Sequence, residues 1–549
     1  MKRKLAALLA AITLASAFVA CGGGTQTPAS QPGAPASQAA PLEPTEAPTT
    51  TDAIKRGGVL TTSRLGITPL NPTKYIAMQG DKIIEGLFFD SLVNINEKME
   101  VEPFLAESWT VSEDGLTIDM KLKEGVKYFD GTEMTAETVK YCWDWYLDPD
   151  TAANFYPLIS DVQSVDAVDQ YNLRFNFSQP NAGFIELMSY QAGYVLSPAS
   201  IDKYKQTGDE TVFAREGGTG AFKLVENVDG VSITAEKNPD YHVMGEDGQP
   251  LPYLDGVVVK IIGDEAVAAS NLISGDLDMI DVVSQPAVVS QISNAQGCQI
   301  KINAPREVFH LYMNMEQEPF DDPLVRQAMC YAVNRDELNQ VVSMGQAIQT
   351  PWLTLPDQWY YKDGEIIGYD PAKAKELLAQ AGYPDGVEVE LYYGTYGVMQ
   401  AECELIQAQA KEAGFNIKLV GMDGASVKTL WALQNTDAPA GMRLQNNIIP
   451  KSDPYTQMEY IFGENAIQNC SRWIDAEYQE LLKKVKVTFD RDEAKTMLDR
   501  MQDIGLEQMP TVVLQAGPRR SALADHTMGV YFDCDASMNF RAAWLNKIG

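Results

Sequence analysis

The spacing of apolar residues changes between residues 105 and 147, and each spacing predicts an element. In SWTVSEDGLTIDMKLKEG, apolar and polar residues alternate on both sides of the Glu113-Asp114-Gly115 turn, which predicts a β-hairpin with one buried face. In TAETVKYCWDWY, apolar residues recur every three or four positions after Thr135. That spacing predicts a helix capped by Thr135, with its tryptophans in the core.

The same patterns return downstream, where strands alternate with helices. Asp322-Pro323 and Asp370-Pro371 are pairs of an N-cap residue and a first-turn proline. Asn334 with Glu337 matches a capping box, and Gly382 is placed to end the helix that begins after Asp370. The strand VEVELYY and a helix around LIQAQAKEAG follow. This alternation predicts an α/β fold.

The N-terminus carries an export pattern. The basic start KRK precedes a short run of small apolar residues, which is typical of a secretory signal peptide over residues 1–20 and too short for a membrane-spanning helix. Phe18-Val19-Ala20-Cys21 resembles the lipobox of bacterial lipoproteins, with Phe18 where leucine is usual. We expect Cys21 to be lipidated; the alternative is an ordinary secreted protein with a spare cysteine.

Residues 21–55 join this cysteine to the body of the protein. After Cys21 they consist largely of Gly, Pro, Ser, Thr, Gln and Ala, a composition that cannot bury a core. We therefore predict a disordered tether behind the lipidated cysteine.

Composition narrows the class of the remaining chain. Of the 549 residues, 45% are apolar and 21% charged, as in ordinary globular proteins, and the part beyond the tether is long enough for two or three lobes. A net charge of −32 disfavours nucleic acid as a partner. The cysteines after Cys21 show no CxxC spacing, and their pairing stays open: Cys142, Cys298, Cys330, Cys403, Cys470 and Cys534.

Motifs for catalysis are missing from the sequence. The three histidines are scattered and form no HExxH, so neither a zinc hydrolase nor a nickel site is indicated. There is no GxSxG elbow, and GGTGAF lacks the lysine of a phosphate-binding loop. We therefore expect no catalytic residue, no cofactor and no metal site; an exported enzyme is the disfavoured alternative.

Six ordered blocks of sequence are similar to the peptide/nickel family of bacterial solute-binding proteins, the family 5 receptors of ABC importers. The first is LAESWTVSEDGLTIDMKLKEGVKYFDGTEMTAETVKY, and later ones include GTGAFKLVENVDGVSITAEKNPDYH, FHLYMNMEQEPFDDPLVRQAMCYAVNRDEL and SRWIDAEYQELLKKVKVTFDRDEAKTMLDRMQDI. Together the blocks cover nearly all of residues 57–545.

This resemblance implies a periplasmic-binding-protein type II-like fold with two hinged lobes and an extra lobe. Lobe I would be discontinuous, over residues 56–98, 216–310 and 520–549. The extra lobe would comprise residues 99–215, and a ligand-closing lobe residues 311–519.

The resemblance also implies a function without chemistry. A solute would be captured between the lobes, because only the closed form contacts it from both sides, and delivered to the permease and ATPase subunits of an ABC importer. The protein would be held by its lipid on the extracellular or periplasmic side of the cell membrane. A signalling receptor with the same fold is the further alternative.

Both charged anchors of the family's dipeptide receptors are absent here. Those receptors bind the ligand ammonium with an aspartate four residues before a loop proline; counting back from Pro454 gives Pro450, with Asp453 nearby at another offset. Their carboxylate-binding arginine follows the strand equivalent to VEVELYY, yet Val387 to Ala410 contains no lysine or arginine. An unpaired buried charge is costly, so we expect free dipeptides to be rejected.

Two ligand classes are then favoured, with oligopeptides ahead of neutral oligosaccharides; heme, opines and other small organic solutes stay open. Peptides would be held through backbone hydrogen bonds, and saccharides through aromatic faces and amides. Loops on rigid lobes often carry recognition, which favours the tryptophans of QTPWLTLPDQWYY, whereas the tryptophan of SRWIDAEY also suits a helix core. The candidate ligand-binding residues are Trp352, Trp359, Tyr392, Tyr393, Tyr396, Asn446, Asn447, Asp453 and Trp473.

Overall fold

A computed structural model describes residues 53–66, 69–74, 86–96, 99–448, 453–466, 468–532 and 538–547. The predicted signal peptide, Cys21, nearly all of the tether, Pro450 and Cys534 lie outside these residues. The five cysteines of the described part are unpaired thiols: Cys142, Cys298, Cys330, Cys403 and Cys470. Within the same residues, no helix is long and apolar enough to cross a bilayer.

The described strands are numbered in chain order. They are β1 Val59–Arg64, β2 Val93–Ile95, β3 Val101–Pro103, β4 Ala106–Val111, β5 Thr117–Leu122, β6 Val162–Ala167, β7 Asn172–Phe177, β8 Phe222–Val228, β9 Ser232–Lys237, β10 Gly256–Ile261, β11 Met279–Ile280, β12 Cys298–Met313, β13 Val387–Gly394, β14 Phe415–Met422, β15 Met442–Ile448, β16 Thr511–Ala524, β17 Thr527–Met528, β18 Tyr531–Phe532, β19 Met538–Asn539 and β20 Trp544–Leu545.

The α-helices are numbered in the same way. They are α1 Ala136–Leu147, α2 Tyr156–Ile159, α3 Phe184–Leu187, α4 Pro198–Thr207, α5 Glu265–Ser274, α6 Pro286–Ser293, α7 Pro323–Tyr331, α8 Arg335–Val342, α9 Pro371–Gln380, α10 Met399–Glu412, α11 Gly424–Trp431, α12 Pro454–Phe462, α13 Ala476–Val487 and α14 Arg491–Gln508. Shorter 3₁₀ turns lie at Pro72–Lys74, Pro149–Thr151 and Gln191–Gly193, and a π-helix at Phe213–Gly217. Strands and helices thus alternate through both halves of the chain, and the fold is α/β.

One mixed sheet of ten strands organises the molecule, in the order β14-β13-β15-β12-β16-β11-β1-β10-β9-β8. The long strands β12 and β16 lie at its centre and pair antiparallel along nearly their whole length. The strands β13, β14 and β15 lie on the β12 side, and β1 and β8 to β11 lie on the β16 side. Two strands therefore connect the two halves of the sheet.

The parallel strands of one half run toward those of the other half, so that the carboxyl ends of the two sets face each other. On one side, β1, β10 and β11 run antiparallel to β16; on the other, β13, β14 and β15 run antiparallel to β12. Because β11 pairs with Ala522 and β15 ends opposite Glu307, both sets end beside the middle of β12. In open α/β sheets, ligands bind outside the carboxyl ends of parallel strands.

Apolar residues cover both faces of β12, as its period of two requires. Phe309, Leu311 and Met313 pack into a cluster with helices α7 to α10. Val308 and Tyr312 point to the opposite cluster, with helices α11 to α14. Central strands sandwiched in this way make one half of the molecule a three-layer α/β body.

A separate four-stranded antiparallel sheet, β4-β5-β7-β6, lies within residues 106–177. It contains the predicted hairpin, with Trp109 opposite Met120. Its apolar face belongs to one continuous cluster that also contains residues of β1, β8, β9 and β10.

Most of the predicted helix ends are confirmed. Thr135 caps α1 in a capping box, and the side chains of Asp322 and Asp370 cap α7 and α9. Asn334 caps α8 through Glu337 N–H, but the reciprocal bond predicted for the Glu337 side chain is wrong. The amide of Gln409 accepts a bond from the Asn334 N–H instead, at 3.0 Å, because α10 packs beside α8.

Candidate functional site

The carboxyl ends of the two strand sets meet at a crossing segment, Ile302–Glu307 of β12 opposite Gly517–Arg520 of β16. Two shifts of strand register lie within it, between Ile302 and Pro305 and between Pro305 and Glu307. Such irregularities locally bend a strand and interrupt its ladder. This segment is thus the narrow connection between the halves, and its neighbours form the candidate site.

On the β1 side, a cavity of about 80 Å³ opens at the ends of β1, β10 and β11. Arg519 donates two hydrogen bonds to Asp281 in this wall, at 2.9 and 3.0 Å. Glu265 accepts backbone N–H bonds from Ser284 and Gln285, each at 3.0 Å. Charged side chains of both signs therefore line the cavity, and Glu265 fixes the loop at Ser284.

On the β15 side, Asn446 connects two candidate groups. Its side-chain N–H donates to the Glu307 carboxyl group, and the Tyr396 hydroxyl donates to its Oδ1 at 3.4 Å. Burial raises the pKa of Glu307, while the nearby guanidinium groups of Arg519 and Arg520 act against that rise. Tyr396 is 41% exposed, so its ring is available to a ligand.

His310 on β12 orients Asn447, the next residue of β15. The Thr511 hydroxyl donates to the Leu311 carbonyl at 2.8 Å, so the His310 Nδ1–H donates to Thr511, and Nε2 accepts from the Asn447 amide at 3.0 Å. Burial, and then nearby Arg443, lower the pKa of His310 to about 3. The imidazole is therefore neutral at physiological pH and works as a fixed hydrogen-bonding group.

The two walls approach each other closely at one point. A Cβ atom at Gly397, which follows β13, would lie 3.3 Å from Ser284 Oγ, which follows β11. The loops after the two parallel strand sets are thus in contact across the site.

The structure brings the side chains of two predicted residues, Tyr396 and Asn446, into contact at this site. The third, Asn447, points to the opposite face of β15 and bonds to His310. Tyr392 and Tyr393 lie just before the site on β13 and point to opposite faces of the strand. Tyr392 packs on Trp431 with ring centroids 5.7 Å apart and donates its hydroxyl to Glu390, and Tyr393 is part of the core beside α10.

Two of the predicted tryptophans are buried in the core beside α12 and α14. Trp352 is 2% exposed and stacks on Phe462 with centroids 5.5 Å apart. Trp473 is 3% exposed, and its indole N–H donates to Gln508 Oε1 at 2.7 Å. Ligand contact by these two residues stays a prediction.

Trp359 and Asp453 lie together at a second cavity of about 100 Å³, where α3 meets α12. The Arg491 guanidinium lies 5.3 Å from the centre of the Trp359 ring. Asp453 is the N-cap of α12 and accepts the Tyr455 N–H at 3.0 Å. A Cβ atom at Gly183 would lie 2.5 Å from Asp453 Oδ2, so this cavity borders the segment after β7.

Sequence patterns did not single out Glu307, Asp281, Arg519 or His310. The first three lie at a crossing segment that becomes visible only once β12 and β16 pair. His310 had a usable signal, because it alternates with Tyr312 in VFHLYM, a strand pattern that places both side chains on one face.

The chain is similar in sequence to one family of known proteins. A sequence profile of the bacterial extracellular solute-binding proteins, family 5, matches residues 100–469. The glutathione-binding protein GsiB of Escherichia coli O1:K1 is 27% identical over 469 residues, which cover 83% of this chain and 89% of that protein.

Two solved structures share the fold. One is the periplasmic binding protein DppA of Helicobacter pylori in complex with the peptide STSA, with a TM-score of 0.78, 24% identity, and 90% and 99% of the two chains covered. The other is AgaA of A. tumefacien R10 with agropinic acid, with a TM-score of 0.75, 25% identity and the same coverage. Since the family profile spans most of the chain, the protein belongs to the family 5 bacterial extracellular solute-binding proteins.

Proposed function

We propose that this solute-binding protein is a membrane-anchored receptor that captures an oligopeptide between two lobes and delivers it to an ABC importer. The observation that carries the proposal is the pair of facing strand sets, whose carboxyl ends meet at the two-stranded crossing segment. A ligand there would contact both halves at once, and only when they are closed. Its binding energy would therefore favour the closed form, which the permease recognises.

The lobe boundaries belong to the same proposal. Lobe I would comprise residues 56–98, 216–310 and 520–549, the extra lobe residues 99–215, and the ligand-closing lobe residues 311–519. The two apolar clusters on either face of β12 draw most of their residues from the ligand-closing lobe, which supports it. The extra lobe shares its core cluster with lobe I and would move with it.

Peptide is favoured as the ligand class by the relatives. GsiB is a glutathione-binding protein, and the Helicobacter pylori DppA structure contains a peptide. The side chains of Tyr396 and Asn446 lie at the end of β15, where an extended peptide could add to the strand ends through backbone hydrogen bonds.

The ligand class is tested with a thermal-shift screen of the Cys21→Ser chain. Glutathione, tripeptide to pentapeptide pools, free dipeptides and neutral oligosaccharides are the probes. We expect peptides to raise the melting temperature by mass action, followed by micromolar or tighter affinity in calorimetry, and free dipeptides to have no effect. Stabilisation by an oligosaccharide without any by peptides would contradict the proposal.

The lipid anchor is tested separately in the producing cell. Cys21 would carry the acyl chains, because stable anchoring takes more than one chain. We expect Cys21→Ser to move the protein from the membrane fraction to the soluble extracytoplasmic fraction while its ligand affinity stays unchanged. A variant that stays in the membrane fraction would exclude Cys21 as the anchor.

A further inference from the structure

The buried arginines of the described residues donate hydrogen bonds to oxygen atoms, with one exception. Six of the described arginines are less than one-tenth exposed, and five of these bond to oxygen atoms. Arg326, for example, donates to three backbone carbonyls at 2.8 to 3.0 Å, and Arg335 also donates to backbone carbonyls. The other three donate to a carboxylate, an amide oxygen or carbonyls: Arg306, Arg472 and Arg520.

Arg443 on β15 is the exception among the described residues. It is 1% exposed, yet its hydrogen bond goes to the thiol sulfur of Cys470, at 3.0 Å, and its Nε–H has no partner. No aspartate or glutamate of the described chain forms a salt bridge with it. A buried guanidinium whose N–H groups lack oxygen acceptors keeps the cost of its desolvation, whereas Arg326 and Arg335 offset that cost through backbone carbonyls.

The surroundings of Arg443 are positive and incompletely bonded. Burial lowers the pKa of Lys428, and nearby Arg443 adds to that effect. The hydroxyl groups of Tyr312 and Tyr460 are electrostatic neighbours of Arg443 and lie beside the side-chain amides of Asn447 and Gln468. Both hydroxyl groups are buried, and neither donates to an acceptor with hydrogen-bond geometry. Three donors, one of them charged, are therefore available at the same place.

The position of Arg443 links these donors to the proposed ligand site. Arg443 lies opposite Tyr312 on β12 and opposite Tyr392 on β13. It points to the same face of β15 as Asn447, and Asn447 is the one that lies closer to the cleft, by four residues. Arg443 is also close enough to exposed Tyr396 to act on the pKa of that phenol. The donors thus lie behind the cleft end of β15.

We infer that Arg443, with the hydroxyl groups of Tyr312 and Tyr460, forms a subsite for a carboxylate of the bound peptide. This inference rests on the proposed peptide function and specifies its ligand chemistry. A carboxylate accepts from the guanidinium and from both hydroxyls, and charge-assisted bonds of this kind are short and strong. The subsite supplies the missing carboxylate anchor from β15 rather than from the segment after β13.

The test measures affinity and stability of the Cys21→Ser chain and of its Arg443→Met variant. The probes are trialanine, which has a C-terminal carboxylate, trialanine amide, which has none, and Ala-Glu-Ala amide, which has a side-chain carboxylate. We expect the parent to prefer one carboxylate-bearing peptide over trialanine amide by about 30-fold or more, and the peptide preferred identifies the carboxylate. Arg443→Met removes that preference, and Tyr312→Phe reduces it.

The matched control is Arg326→Met, which leaves three backbone carbonyls without their donor. We expect it to lower the melting temperature and to keep the preference. Arg443→Met instead keeps or raises the melting temperature of the ligand-free protein, because it removes an unpaired buried charge. An unchanged preference in Arg443→Met overturns the inference.

A different result would identify a failure of the proposed function. If the parent binds none of the peptides and none of the wider peptide pools, the proposed peptide function fails and the peptide-carboxylate subsite fails with it. A parent that binds peptides without any preference for a carboxylate overturns the subsite alone. Destabilisation of Arg443→Met to the same extent as Arg326→Met would show a structural arginine and overturn the inference.

Discussion

Glu402 is a buried carboxyl group on α10 that has no cation beside it among the described residues. It is fully buried, and the Gln515 amide donates to its Oε1 at 3.3 Å. Burial raises the pKa of Glu402 to about 8, and nearby Glu307 adds to the rise. The folded protein therefore keeps a proton on Glu402 at pH values where the unfolded chain has already released it.

This proton predicts how stability changes with pH. From about pH 5 to about pH 8 the unfolded state binds fewer protons than the folded state, so this group makes the free energy of unfolding fall as pH rises. Glu402→Gln should lack that contribution, and its curve should be flatter by about 1 kcal/mol per pH unit. Urea unfolding at several pH values measures the difference, with the exposed Glu404→Gln on the same helix as the control. Parallel curves for Glu402→Gln and the parent would contradict the assignment.

Trp352 and Trp359 lie seven residues apart but have different surroundings. The Trp352 indole lies on Gly505, where an added Cβ atom would come within 2.4 Å of its ring. We expect Trp352→Ala to lower the free energy of unfolding by about 3–5 kcal/mol, because it leaves a large cavity. Half-buried Trp359→Ala should cost much less and serves as the comparison in the same denaturant series. A stable Trp352→Ala variant with weakened ligand affinity would assign Trp352 to the ligand instead.

Elements defined by local chemistry were predictable from the sequence. The β4–β5 hairpin, the caps of α1, α7 and α9, and the strand β13 followed from alternation, from Asp-Pro pairs and from turn residues. The alternation in VFHLYM marks only the end of β12 as a strand. The full length of β12 and β16 and their pairing had no local signal, because each crosses both halves and its neighbours change along its length. Tertiary pairing, rather than periodicity, determines such strands.

The cap of α8 shows the same limit within a single turn. Asn334 was predictable as the N-cap, but the second half of the capping box comes from Gln409 on α10, which bonds both the Asn334 N–H and its carbonyl. A partner 75 residues away cannot be recognised from local spacing.

This arrangement makes Gln409 more important for stability than Glu337. We expect Gln409→Ala to destabilise the protein by about 1–3 kcal/mol, because it leaves two partly buried backbone groups of Asn334 without their partner. Glu337→Ala should cost less, since its backbone N–H still bonds Asn334 Oδ1 at 3.1 Å. Chemical denaturation of both variants measures the ranking. A larger loss for Glu337→Ala would restore the capping box predicted from sequence.

At the scale of the whole molecule, the candidate site was only partly predictable. Tyr396 could be named because it follows the recognisable strand VEVELYY, and Asn446 and Asn447 because the family resemblance points to the segment QNNIIPKSDPYTQ. The structure brings Tyr396 and Asn446 into contact. Glu307, Arg519 and Asp281 could not be named, because their proximity depends on how two distant strands pair. Arg443 had a weak signal, as a single charge within the strand MRLQNNI.

Closure of the two halves can be tested at the contact between Ser284 and Gly397. A Cβ atom at Gly397 would lie 4.0 Å from Ser284 Cβ, within the ~3.5–4.5 Å range of disulfides. Burial raises the pKa of Cys142 to about 12 and of Cys330 to about 11, so these native thiols react slowly. Ser284→Cys with Gly397→Cys should therefore form a bond across the cleft on mild oxidation.

The oxidised double variant should bind peptide far more slowly than its reduced form, because the halves can no longer separate to admit a ligand. Gly397 has a φ of +56°, so a cysteine there lowers the free energy of unfolding by about 1–2 kcal/mol. The reduced double variant is therefore the proper reference, because it carries the same substitution. Stopped-flow binding before and after reductant measures the effect, and Ser284→Cys alone, treated identically, should show none. Equal rates in the oxidised and reduced double variant would mean that ligand enters without separation of the two halves.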